Sequence, residues 1–251
     1  MNKKAIKKFK LFGIQFINGD FNIAINELKD GGLMVVPAAP ALIDIYNDQE
    51  YYDALLNSDF AIPDSGLMVL VLKIFKFIRI KKLSGLAFLD KFLNENILKE
   101  NHCLFLVDPN EKEATLNQKY LKSLRILIKD DDHYIAPFYN KNNIVDYVLL
   151  KLIEEKKPKY ILINLGGGVQ ERLGSFLKNN LSYQPGILCT GAAIAFFTGQ
   201  QVFIPRWVDK LFLGWLWRCF SNPRVFIPRY LKGFKFILML LKEPIKLKEI
   251  K

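Results

Sequence analysis

Short apolar runs separated by longer amphipathic stretches set the pattern of this chain. Leu33–Val36, Phe60–Ile62, Cys103–Val107, Arg125–Ile128, Tyr160–Leu165 and Gly186–Cys189 each have strand-like length and apolar content. Runs that are apolar rather than alternating belong to strands covered on both faces, as in a parallel sheet. Between them, apolar residues recur at helical spacing. Leu86, Leu89, Leu93 and Leu98 do so within Ser84–Lys99, and Ile144, Tyr147, Val148 and Leu152 within Ile144–Glu155. Further helices are expected from Ala41 and from about Gln170. This βαβα alternation over roughly residues 10–200 predicts an α/β fold, a mostly parallel Rossmann-like sheet with helices on both faces.

The pattern changes near Phe203. Strand-like runs stop, and two basic amphipathic helices are expected, over about 206–220 and 224–241. Trp207, Trp215 and Trp217 all fall in this segment, and from Gln201 to Lys235 there are seven Lys/Arg and one acid, Asp209. Arginine is rarely buried without a partner. Aromatic residues interleaved with cations suit a surface that is apolar and anion-seeking at once, such as a lipid headgroup layer. The chain is therefore expected to divide into a core at 1–200 and a C-terminal membrane-associating helical appendage at 201–251, with Arg206, Arg218, Arg224 and Arg229 as candidate phosphate ligands.

A formal net charge of +11 over 251 residues adds the expectation of an anionic partner. The longest apolar run, Leu67–Ile78, is broken by Lys73 and Lys76, short of the roughly 18–20 apolar residues that span a bilayer. The apolar piece Leu11–Ile17 lacks a signal-peptide cleavage pattern. A cytoplasmic protein, peripheral at the inner face of the cell membrane, is expected. Cys103, Cys189 and Cys219 are far apart, and with two histidines they show neither zinc spacing nor a disulfide framework. No metal site is expected, since Asp130-Asp131-Asp132 reads as a polar turn. No nucleic-acid motif stands out, so nucleic acid is not expected as a partner.

Two turns carry the chemistry. Pro63-Asp64-Ser65-Gly66 follows a strand and precedes a helix, where parallel α/β sheets bind ligands. Asp64 there is either a cap of the next helix or a general base. Gly166-Gly167-Gly168-Val169-Gln170-Glu171 follows the Tyr160–Leu165 run and opens a helix, whose N-terminus favours phosphate. Without Gly-Lys-Ser/Thr it is not a Walker loop. Gly191-Ala192-Ala193 follows the last run, and its small residues permit helix packing or ligand approach.

Taken together these pieces resemble the WecG/TagA/CpsF glycosyltransferase family, over about residues 12–235. The family's Pro-Asp-Gly turn is matched by Pro63-Asp64-Ser65-Gly66, and its Gly-x-Pro-x-Gln-Glu turn by Gly166 through Gln170-Glu171. Its glycine-rich helix start is matched by Gly191 through Thr198-Gly199. Its tail is matched by Pro205-x-Trp207, Leu213-Gly214-Trp215-Leu216-Trp217-Arg218, Pro223-Arg224 and Arg229-Tyr230. The family's Thr-x-Asn is replaced by Pro37-Ala38-Ala39, its Asp-Gly pair by Asp64-Ser65, its following Arg by Lys81 or Lys82, and its Pro before Gln-Glu by Gly168.

The resemblance implies an inverting, metal-independent transfer from a UDP-sugar, with no other cofactor, to an undecaprenyl-diphosphate-linked acceptor at an anionic membrane surface. It implies Asp64 as base. It implies a donor site around Pro37, Ala39, Gly66, Gly166, Gln170, Glu171 and Gly191, with the four arginines on lipid diphosphate. A catalytically altered relative that only binds lipid diphosphate or a partner transferase stays open, as does homo-oligomerisation.

Overall fold

The computed structural model describes residues 7–43, 45–99, 103–129, 131–140, 143–201, 220, 223–224 and 233–249. Among the described residues, nine strands form one sheet in the order β6-β5-β7-β8-β3-β4-β2-β1-β9. The strands are β1 (Lys7–Leu11), β2 (Ile14–Asn18), β3 (Gly32–Val35), β4 (Phe60–Ala61), β5 (Leu104–Asp108), β6 (His133–Ile135), β7 (Tyr160–Ile163), β8 (Gly186–Cys189) and β9 (Lys246–Glu249). From β6 to β2 all neighbours pair in parallel, and β1 runs against both β2 and β9. The fold is α/β with a mostly parallel sheet, as the run pattern predicts.

Alternation along each central strand feeds two cores. Leu33, Val35, Phe105, Val107, Ile161, Ile163, Ile187 and Cys189 face one layer. Met34, Leu104, Leu106, Tyr160, Leu162 and Leu188 face the other. This is the period of two inherent in a strand, with both phases apolar because helices cover both sides. The first layer holds α2 (Ala39–Leu42), α3 (Gln49–Leu56), α4 (Gly66–Phe75), α7 (Tyr147–Lys156), α8 (Val169–Asn180) and α10 (Gly233–Lys242). The second holds α1 (Phe21–Lys29), α5 (Gly85–Leu93), α6 (Glu111–Ser123) and α9 (Ala193–Phe197).

Several elements differ from the pattern-based expectation. The Leu11–Ile17 piece holds the end of β1 and most of β2, with Phe12 (φ +52°) and Gly13 (φ +72°) forming the hairpin turn between them. Such a two-residue turn with both φ positive matches the twist of its strands. Arg125–Ile128 is not a strand. Arg125 takes φ +63°, and Ile126 N returns to Leu121 O at 3.0 Å, so these residues terminate α6 instead. The stretch from Ser84 to Lys99 breaks after Leu93 and resumes as a short 3₁₀ turn at Asn96–Lys99.

The 201–251 segment is also not wholly separate from the core. Phe236 and Leu240 of α10 are fully buried against the first layer, and β9 extends the sheet edge through β1. Strand structure therefore does return after Phe203, in a Lys-Leu-Lys-Glu edge too short and charged to read as a strand. Arg206, Arg218, Arg229 and the three tryptophans lie outside the described residues, as does the expected helix at 206–220 apart from Phe220.

Candidate active site

The strands β7, β8, β3 and β4 are neighbours, so the loops leaving their C-terminal ends stand side by side. At ~4.8 Å per strand spacing the row is about 14 Å across. It carries, in order, Gly166, Gln170 and Glu171, then Gly191, then Pro37 and Ala39, then Asp64 and Gly66. The chain leaves β3 toward the first layer (α2, α3) and β8 toward the second (α9). Adjacent loops that diverge in this way open a crevice, the usual ligand position in such sheets.

Asp64 is half-buried at one end of this row. It does not cap the helix that follows it. Ser65 does, its hydroxyl accepting from Met68 N at 3.2 Å. Asp64 Oδ1 accepts from Gly85 N at 3.0 Å, the first residue of α5. The carboxylate therefore faces the positive end of that helix. Leu83 N also donates to Pro63 O at 3.1 Å, so the segment between α4 and α5 is tied to this turn twice. A Cβ on Gly85 would sit 3.0 Å from Val36 Cγ1. The β3 loop, the β4 turn and the start of α5 thus meet at Asp64. Pro37 and Ala39 are buried, with Ala38 exposed between them, and their side chains bring only apolar atoms to the wall.

Across the crevice, Gly166 and Gly167 are exposed, and a Cβ on either would meet nothing within 4 Å. Packing does not require glycine at these two positions, and the space over them is open. Gly168, at φ +88°, does need a glycine-like backbone.

Gln170 and Glu171 are buried and bonded internally. Gln170 Oε1 accepts from Gly191 N at 2.7 Å, and its Nε2 donates to Glu171 Oε1 at 3.0 Å. Glu171 Oε2 accepts from Gly168 N at 2.6 Å, closing the first turn of α8. Gln170 therefore ties the β7 loop to the β8 loop. Burial pushes the Glu171 carboxyl above the usual range, against the opposing pull of the backbone amides, Gln170 and Arg172.

The residue periodicity did not single out is Arg172. Its Nη1 donates to Gly168 O at 2.5 Å, it pairs with Asp48, and it approaches Glu50 at 3.7 Å. Its guanidinium lies 5.5 Å from the Tyr51 ring centroid. This contact fixes the start of α8 against α3.

A second unanticipated group sits at the ends of β5 and β7. Asp108 Oδ1 accepts from Asn117 Nδ2 at 2.7 Å and Asn164 Nδ2 at 2.8 Å. All three residues are buried, and Asp108 Oδ2 and both asparagine Oδ1 atoms have no partner among the described residues. Burial raises the Asp108 carboxyl, and the two amides oppose the rise. The available signal was Asn164, a polar residue inside the otherwise apolar Tyr160–Leu165 run. Arg224 is exposed and helical, and it is the one of the four tail arginines within the described residues.

Comparison with known proteins fixes the class this fold and crevice serve. A family model described as glycosyl transferase WecG/TagA/CpsF family matches residues 9–250. The chain belongs to that family and is a glycosyltransferase. Comparison with curated proteins gives no significant match. Among the described residues, no helix is long and apolar enough to cross a membrane.

Proposed function

We propose that this glycosyltransferase moves a hexosyl residue, N-acetylmannosamine or a related sugar, from a UDP-sugar to a polyprenyl-diphosphate-linked sugar during cell-surface polysaccharide synthesis. An acceptor hydroxyl oxygen attacks the anomeric carbon, and the bond from that carbon to the UDP oxygen breaks. The hydroxyl proton passes to the Asp64 carboxylate, and UDP leaves as the anion. The observation that carries this reading is the placement of Asp64. It is a half-buried carboxylate at the C-terminal edge of β4, oriented by the Gly85 amide and not used to cap its own helix. The open space over Gly166 and Gly167 supports close approach of a donor diphosphate to the backbone. Helix N-termini together with Arg206, Arg218, Arg224 and Arg229 would meet the charge of the donor or lipid diphosphate without a metal. The aromatic residues of the tail would rest in an anionic membrane interface at the cytoplasmic side.

The apolar wall at Pro37 and Ala39 favours one second reading, a relative that binds lipid diphosphate or a partner transferase without turnover. UDP release from a panel of UDP-sugars, with a polyprenyl-diphosphate-sugar acceptor and a chelator present, separates the two. Under the first reading the wild type turns over and Asp64→Asn loses about 10²–10⁴-fold in kcat. Unchanged turnover in the variant removes Asp64 from the mechanism. Lipid-diphosphate binding without turnover for any donor selects the second reading.

A further inference from the structure

From Ser65 to Leu89 the chain carries Lys73, Lys76, Arg79, Lys81 and Lys82 and no acid. The same stretch exposes large apolar side chains: Leu70, Ile74 and Phe75 are about half exposed, and Phe77 is 88 % exposed. Leu70, Lys73 and Ile74 fall on one exposed stripe of α4, and Arg79 and Lys81 are exposed in the segment after it. Packed against α4, α10 continues the composition, with Lys235, Leu238 and Lys242 exposed on its own outer stripe. Phe77 also sits at φ +53°. A bulky residue is costly in that left-handed region, and the fold recovers almost no burial from its ring.

We propose that the outer face of α4 and α10, with the return segment 76–82, is a contact surface for an anionic bilayer, carrying the membrane contact from the C-terminal appendage onto the core. Interleaved cations and apolar groups match phosphate headgroups over acyl chains. A second copy of the chain fits poorly, because two-fold pairing would set this acid-free, cationic patch against itself. The placement has a use if the acceptor is lipid-linked, which rests on the function proposed above. α4 begins two residues after Asp64 and is about 15 Å long. Three residues past the return segment, Gly85 at the start of α5 donates its N–H to the Asp64 carboxylate. Docking this face would keep the base near the membrane plane from which the acceptor hydroxyl is presented.

Co-sedimentation of the full chain with phosphatidylcholine vesicles, with and without about one-third phosphatidylglycerol, tests the proposal. Lys73→Gln/Arg79→Gln should weaken binding to the anionic vesicles roughly 25-fold, at about fivefold per cation. Ile74→Ser/Phe77→Ser should weaken it by about tenfold or more. Thermal midpoints should stay within about 2 °C of wild type, since these side chains are exposed. UDP release with a short water-soluble acceptor, measured on the same proteins, should not change. Absent turnover throughout with the binding pattern intact would overturn the function and leave the surface. Wild-type binding by both variants would overturn the surface, as would absence of binding to the anionic vesicles by the wild type. A dimeric wild type, made monomeric by the variants with vesicle binding unchanged, would reassign the face to self-association.

Discussion

Gln170→Ala separates a loop tie from a free ligand group. The side chain is 2 % exposed and joins two neighbouring loops of the crevice. Truncation leaves Gly191 N and Glu171 Oε1 without the partners they hold at 2.7 and 3.0 Å. An ordinary hydrogen bond contributes about 1 kcal/mol net, and one to a charged group about 1.5–3 kcal/mol. The Glu171 bond counts toward the lower figure, because burial raises that carboxyl and favours its protonated form. The expected loss is about 2–4 kcal/mol. For a chain of this size it corresponds to a Tm drop of roughly 5–15 °C. Calorimetry reads the stability change. UDP release below the transition reads the site, where KM for the donor should rise as the β7 and β8 loops separate. A Tm change under about 1 °C would refute the reasoning, because the carboxamide would then not be committed to Gly191 and Glu171 in solution.

Ser65→Ala should cost about 1 kcal/mol in urea unfolding through loss of the α4 cap, while Asp64→Asn, whose amide oxygen can still accept from Gly85 N, should cost less. The opposite ranking would return the cap to Asp64. Burial raises the folded-state pKa of Asp108 above its unfolded value. The stability linked to its proton is therefore complete below the ordinary carboxylate range and is lost as pH rises through the raised value. Asp108→Asn escapes that loss, so its Tm relative to wild type should rise as pH increases above about 4. A pH-independent difference would show that Asp108 does not titrate there.

The strands legible in the chain were those buried on both faces. β3, β5, β7 and β8 read as short apolar runs because helices cover both of their sides. The edges were not legible. β9 carries three charged residues and one apolar one, and β1 and β2 share one apolar piece interrupted by a turn that only backbone geometry reveals. Arg125–Ile128 misled because apolar residues that terminate a helix and pack beneath it look the same, locally, as a strand. In the crevice, the glycine and aspartate turns were visible as turns at strand ends. What their side chains bond to was not: Asp64 to Gly85 and Gln170 to Gly191 each reach a partner 21 residues away.

The sequence by itself determined the α/β class, the sites of the turns and the basic, aromatic character of the tail, because periodicity, apolar density and charge act along the chain. Only the tertiary structure decided that β3 and β8 lie side by side and send their helices to opposite faces, which opens the crevice. It also decided that Ser65 rather than Asp64 caps α4, and that α10 and β9 return to the core. The reason is that strand order, and with it the neighbour of every loop, follows from packing distant segments into two shared cores, and no local pattern carries that information.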